Sequence, residues 1–290
     1  MRIIRARAMG FCFGVRDALE TARSVAHPER VAVYGELVHN ERVQAELAER
    51  GFAAMSERDR QRLPERPEVL ITAHGVSERE RDRLVAAGKT LIDTTCPLVT
   101  YVHRVARALE QEGRLLVVVG KRDHVEVRGI VGDLSHFVVV AGPGEVEAYT
   151  DRRIGVIAQT TTPPRQAEAV VEAVRERNPA ADVKYVMTSC QPTRDRQLAV
   201  LAMLPWIEAL IVVGGKNSNN TRQLVDLARE QHVPAYHVQG PDDVEAAWLT
   251  GLTVVGLTAG TSTPDDVIEA VHARLVELAH VHPWRRAASF

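Results

Sequence analysis

Short apolar runs alternate with longer amphipathic stretches along the whole chain. The runs at 30–35, 68–73, 90–95, 114–120, 154–159, 183–188, 209–214 and 253–258 are rich in Val, Ile and Leu and mostly do not alternate with polar residues. Such runs predict strands buried on both faces, the habit of a parallel sheet. Between them, apolar residues recur at helical spacing in stretches such as 41–50, 98–112, 164–177 and 221–231. Strand and helix patterns in alternation predict an α/β protein built on parallel sheets.

The pattern repeats. Each of the three cysteines, Cys12, Cys96 and Cys190, is followed by a helical pattern and then a strand ending in glycine, at Gly35, Gly120 and Gly214. Those glycines lie 23, 24 and 24 residues after their cysteines, and each precedes a polar cluster: "ELVHN", "KRDHVE", "GKNSNN". A later strand in each unit ends in a second polar loop, "TAHGVS", "IAQTTT" or "TAGTST". Counted from the cysteines, His74 falls at +62, Gln159 at +63 and Gly260 at +70. The period of about 90 residues exceeds that of a solenoid. It predicts three pseudo-equivalent α/β units: 1–96 with Cys12, His39 and His74; 97–189, opened by Cys96, with His124, Glu126 and Thr160; and 190–278 with Cys190, Ser218, Asn220 and Ser262. Residues 279–290 are left as a C-terminal tail. Ligands of open parallel sheets bind beyond the carboxyl ends of the strands. Three units in a trefoil would point every polar loop and every cysteine at one central cavity.

Composition narrows the class. The chain has 290 residues, 45% hydrophobic and 26% charged, with a net charge of -2. That balance lacks the basic footprint of a general nucleic-acid binder. The longest apolar runs are strand-sized, well short of the roughly 20 residues of a membrane helix. Residues 1–10 hold no apolar stretch of signal-peptide kind, so the expected compartment is the cytoplasm. Three cysteines cannot pair completely and form no disulfide framework.

Three thiols at the starts of helices predict a metal centre, because helix N-termini favour the thiolate. Structural zinc sites take four ligands, often as close Cys-x-x-Cys pairs, and no such pair is present. A mixed Cys/His zinc site stays open, since His39, His74 and His124 all lie on the polar loops. Iron–sulfur clusters usually take four thiolates, so three would leave one iron open as a Lewis acid. The loops also carry Asn40, Thr160, Thr161, Ser218, Asn219, Asn220 and Ser262, a set of mainly neutral hydrogen-bonding groups suited to a phosphate or diphosphate. Neither the P-loop nor the Rossmann glycine pattern is present. Glu126, two residues from His124, is a candidate general acid, or else an ion-pair partner of Lys121 or Arg128. Three readings stand at this point: a cluster enzyme acting on a diphosphate, an iron–sulfur dehydratase or lyase on another phosphorylated substrate, and a non-enzymatic metal-binding redox module.

Nine motifs then carry a resemblance: "GFC" at 10–12, "LVHN" at 37–40, "TAHGVS" at 72–77, "DTTCPLVT" at 93–100, "HVE" at 124–126, "QTT" at 159–161, "CQPTRDRQ" at 190–197, "KNSNN" at 216–220 and "TAGTS" at 258–262. In this order, over residues 1–278, the chain resembles the 4-hydroxy-3-methylbut-2-enyl diphosphate reductases, the LytB-like enzymes that end the non-mevalonate isoprenoid pathway. The resemblance implies a three-lobed α/β fold around one [4Fe–4S] cluster ligated by Cys12, Cys96 and Cys190, with the substrate hydroxyl at the open iron. It implies substrate binding by His39, His74, His124, Thr160, Ser218, Asn219, Asn220 and Ser262, mostly at the diphosphate. It makes Glu126 the proton donor, supported by Thr161. A ferredoxin or flavodoxin-type protein would supply electrons, and isopentenyl and dimethylallyl diphosphate would be the products. Asn219, Val125 and Pro192 depart from the family's usual serine, proline and alanine.

Overall fold

A computed structural model describes residues 1–281. The described residues hold three four-stranded sheets, and every strand pairing in them is parallel. One sheet orders its strands Ala53–Ala54, Val31–Val33, Glu68–Ile71, Thr90–Asp93. A second runs Phe137–Val140, Leu115–Val119, Arg153–Ala158, Asp182–Tyr185. The third runs Ala235–Val238, Ala209–Val213, Val254–Ala259, Arg2–Arg5. Counted by position in the repeat, all three have the order 2-1-3-4. The direction in which successive strands are added reverses between strands 1 and 3, so each sheet has a switch point where the loops after those two strands diverge and leave a crevice.

The fourth strand of the third sheet comes from the N-terminus of the chain: Arg2 to Arg5 pair with Val254 to Leu257. This corrects the first sequence boundary. Residues before Cys12 complete the sheet of the third unit, and the first unit's own sheet begins at Val31. Parallel pairing is non-local, so nothing in the arginine-rich stretch itself announces its partner. By contact, the chain divides into two compact units, Phe13–Gln191 with the first two sheets and Met1–Cys12 joined to the C-terminal part from Pro192 with the third.

The apolar runs do what their composition requires. Val117 and Val119 pack on one face of the second sheet with Val156, Val170 and Val174, while Leu116 and Val118 pack on the other with Val102, Ala106 and Ile130. Both faces are therefore core, which is why the run "LLVVV" shows no alternation. In the third sheet, Ile211, Val213 and Leu257 meet Val271 and Leu275 of the helix Asp265–Val281, and Leu210 and Val212 meet Val200 and Leu224. Full burial of each such side chain contributes roughly 1.5–3 kcal/mol. That last helix runs into the segment set aside as a tail, and 282–290 lie outside the described residues.

Each cysteine stands between a fourth strand and the next helix. Cys96 follows the strand Thr90–Asp93 and is the N-cap of Pro97–Gln111, where Pro97 fits a first-turn position that needs no N–H. Cys190 precedes Gln191–Met203, and Cys12 precedes Phe13–Ser24. One hydrogen bond recurs at all three. The backbone N–H of Cys96 donates to Ala73 O at 3.1 Å, that of Cys190 to Thr160 O at 2.9 Å, and that of Cys12 to Thr261 O at 3.1 Å. Ala73, Thr160 and Thr261 each lie two residues beyond a third strand. These bonds fix the register of the repeat: His74, Thr161 and Ser262 are equivalent. Counting from the cysteines pairs His74 with Gln159 and Gly260 instead, because loop lengths differ between units.

Candidate active site

In the unit Phe13–Gln191, the loops at two switch points bring three imidazoles together. The His39 and His74 rings stack with centroids 4.3 Å apart, and His124 stands edge-on to both at 5.1 and 5.6 Å. One ligand-capable nitrogen from each lies within 4.8 Å of the others, a spacing suited to a cation or to an oxyanion. Local hydrogen bonds decide part of that choice. His124 caps the helix Val125–Val131, and its Nδ1 accepts the Glu126 backbone N–H at 3.1 Å. A backbone N–H can only donate, so in a neutral His124 the proton sits on Nε2, which is then a donor. His39 Nδ1 lies 2.8 Å from Glu36 Oε2, and this carboxylate fixes the ring. Desolvation pushes the His74 pKa well below the usual histidine range, and His39, His124 and Arg60 add repulsion in the same direction. His74 is therefore a neutral ring at pH 7.

Glu126 is buried, in the first turn of the helix that His124 caps. Its carboxyl accepts the Thr160 N–H at 2.6 Å and the Thr160 hydroxyl at 2.8 Å. The ion pair envisaged with Lys121 or Arg128 is replaced by these bonds, and Arg128 turns to Glu57 at 3.5 Å. Burial raises the Glu126 pKa to about 7, against the opposing pull of the Thr160 bonds and of His39. Thr160 also links this acid to a thiol, since its carbonyl receives the Cys190 N–H. Thr161 Oγ1 accepts from Gln159 Nε2 at 2.9 Å, while Gln159 Oε1 accepts the Lys121 N–H at 3.3 Å. Sequence reasoning placed neither Glu36 nor Gln159 among the functional residues. Glu36 stands one helical turn's count before His39, and Gln159 was read only as a landmark.

Cys96 has a close neighbour. A Cβ on Gly14 would fall 2.5 Å from Cys96 Sγ, so only glycine lets the backbone pass the sulfur there. All three cysteines are thiols of intermediate exposure.

In the other unit, Ser218 caps the helix Asn219–Glu230, its hydroxyl accepting the Thr221 N–H at 3.3 Å. Asn219 and Asn220 therefore sit in the first turn, where helix N–H groups and dipole favour an anion. Asn220 Oδ1 accepts the Thr261 N–H at 3.0 Å and holds the loop that carries buried Ser262. Asn220 Nδ2 is buried without a hydrogen-bond partner, a donor left for something the protein does not itself supply. Thr221 wedges between the two loops: a Cβ on Gly214 or Gly260 would come 2.3 or 2.1 Å from its Oγ1.

The LytB protein family matches residues 3–276. A 4-hydroxy-3-methylbut-2-enyl diphosphate reductase of Anaeromyxobacter sp. (strain K) is 35% identical over 273 residues, covering 93% of this chain and 97% of its own. One of Aquifex aeolicus is 34% identical over 284 residues, covering 95% and 96%. Among solved structures, the E-1-hydroxy-2-methyl-but-2-enyl-4-diphosphate reductase of Plasmodium falciparum superposes with a TM-score of 0.85 at 25% identity, over 97% of this chain and 88% of that one. With cysteines, histidine loops and the Glu126 helix inside the matched region, the chain belongs to the LytB family.

Proposed function

We infer that this chain is a 4-hydroxy-3-methylbut-2-enyl diphosphate reductase. The reaction takes two electrons and two protons, breaks the allylic C–O bond, releases water, and leaves isopentenyl and dimethylallyl diphosphate. The observation that carries the reading is Glu126: a buried carboxyl with a pKa near 7, tied through Thr160 to Cys190.

The residues fit one [4Fe–4S] cluster on Cys12, Cys96 and Cys190. They are partly exposed thiols in the same backbone setting, and the glycine cradle beside Cys96 leaves its sulfur room. When bound, such a cluster supplies electrons singly and, with only three thiolates, one Lewis-acidic iron. The rest is work for side chains. Glu126, increasingly protonated as pH falls through about 7, gives one proton to the departing hydroxyl, and the second proton, drawn from water, goes to the carbon that takes up the electron pair. Thr160 holds the carboxyl, Thr161 supports it, and Glu126 is reprotonated before the next turnover. Neutral His74 and the Nε2–H of His124, with His39 held by Glu36, bind the substrate oxygens without bringing in a competing strong acid. Ser218, Asn219, Asn220 and Ser262 hold the diphosphate, the Asn220 amide using its spare donor and the helix start adding its dipole. A ferredoxin or flavodoxin-type protein delivers the electrons, in the cytoplasm; no described helix is long and apolar enough to cross a membrane.

The test is turnover of the anaerobically reconstituted protein with reduced viologen. Substrate loss that needs reductant is expected. A Glu126→Gln enzyme that keeps its iron and its full rate would remove Glu126 from the mechanism.

A further inference from the structure

A cavity lies against the segments that follow His74 and His124. It measures about 460 Å³, within the size range of small-molecule sites. Its walls include Arg60, Arg83 and Arg128, and Val76, Val125 and Gly129 add apolar surface. Glu80 is the one carboxylate in the lining, and Glu57 pairs with Arg60 at 2.8 Å and Arg128 at 3.5 Å. Three guanidinium groups thus face two carboxylates, and a positive excess remains. Arg60 is the most enclosed of the three, at 13% side-chain exposure, and lies over the Tyr34 ring at 5.1 Å. Burial lowers its pKa, and Arg128 adds repulsion. Arg83 is oriented by the Gln61 carbonyl at 2.8 Å and by Glu80 and Tyr34 at 2.6 and 2.8 Å. Converging cations held by second partners, beside an apolar wall, form a forked receptor for a tetrahedral or planar anion.

We propose that this cavity is a second anion site, which takes the phosphate or diphosphate group of a small molecule. It is separate from the groups assigned to the reaction. It nevertheless borders them: Val76 follows the His74 loop by two residues, and Val125, Arg128 and Gly129 form one face of the helix that carries Glu126. The inference rests on the cavity and holds whether or not the reductase reading does.

The experiment is a calorimetric titration of the anaerobic, cluster-containing protein with inorganic pyrophosphate and, separately, with isopentenyl diphosphate. Both titrations use an Asn219→Ala, Ser262→Ala protein, whose active site lacks two of its diphosphate donors; substrate is left out, because it would carry its own diphosphate into the second site. Binding near one equivalent is expected to persist under these conditions and to weaken tenfold or more in both Arg128→Gln and Arg83→Gln. Arg128 is half-exposed, so its variant is expected to melt like the parent; Arg83→Gln is the second check. Tighter binding of the prenyl compound would identify a ligand that uses the Val76 and Val125 wall, and equal binding would identify the inorganic anion. Absence of binding in the Asn219→Ala, Ser262→Ala protein, or indifference to both arginine variants, would overturn the proposal. A protein that fails to turn over substrate but still loses pyrophosphate binding on Arg128→Gln would sink the reductase reading and keep this one.

Discussion

Replacing Glu126 by glutamine should stabilise the protein at high pH while disabling it. Burial lifts this carboxyl from its ordinary value of 4.5 to about 7, so the folded state holds a proton that the unfolded state releases between those values. Stability contributed by the protonated form is complete below about pH 4.5 and is lost as pH rises through about 7. At roughly 1.4 kcal/mol per pKa unit, the loss by pH 8 is about 3 kcal/mol. At pH 5 it is less than about 1 kcal/mol, because the unfolded carboxyl is only partly ionised there. Glutamine fits the same place. Its carbonyl accepts the Thr160 N–H, its amide donates to the Thr160 hydroxyl, and it never ionises. Urea unfolding of both proteins at pH 5 and pH 8 should therefore show the variant gaining about 2–3 kcal/mol on the wild type between the two pH values. Turnover should fall by about 100-fold or more, the usual worth of a positioned acid. A gap between the proteins that is the same at both pH values would refute the account of why this carboxyl is a proton donor.

Other expectations follow from the same geometry. Turnover of the wild type should decline as pH rises above about 7, when Glu126 loses its proton. Thr160→Val removes the hydroxyl that stabilises the ionised carboxyl, and should move that alkaline limb upward by about one pH unit, read from the pH profile of kcat. Gly14→Ala puts a methyl 2.5 Å from Cys96 Sγ, and iron and sulfide analysis should show cluster content reduced by half or more. Gly260→Ala drives a methyl against Thr221 Oγ1 and displaces the Ser218–Asn220 turn; KM should rise about tenfold with iron content unchanged, since the lost interactions are to substrate.

Much of this was legible in the chain because the physical signals are local. A run such as "LLVVV" is apolar on both faces because both faces are core, and the polar loops follow the strands because switch-point crevices lie there. The short edge strand Ala53–Ala54 carries no such run, and Ala235–Val238 ("AYHV") puts half-buried Tyr236 and His237 between buried ends, so neither stood out. The partner of Arg2–Arg5 was invisible because parallel pairing joins residues some 250 positions apart, and four residues say nothing of it. At the site, residue types announced His39, His74, His124 and Glu126, but their support did not show. Burial raises the Glu126 pKa while Thr160 orients the carboxyl and pulls the other way, and that balance depends on how two loops of one sheet meet. Glu36 looks like any surface glutamate until its distance to His39 is known.

The central claim is reductive loss of the allylic hydroxyl at a three-cysteine cluster. The most direct measurement is electron stoichiometry: reduced viologen oxidised per molecule of 4-hydroxy-3-methylbut-2-enyl diphosphate consumed, by anaerobic reconstituted protein, with the products resolved. Two electrons per substrate, with isopentenyl and dimethylallyl diphosphate both formed, is the predicted result. Substrate consumed without reductant would contradict it and point to a dehydratase, and an intact cluster that consumes none would contradict it outright.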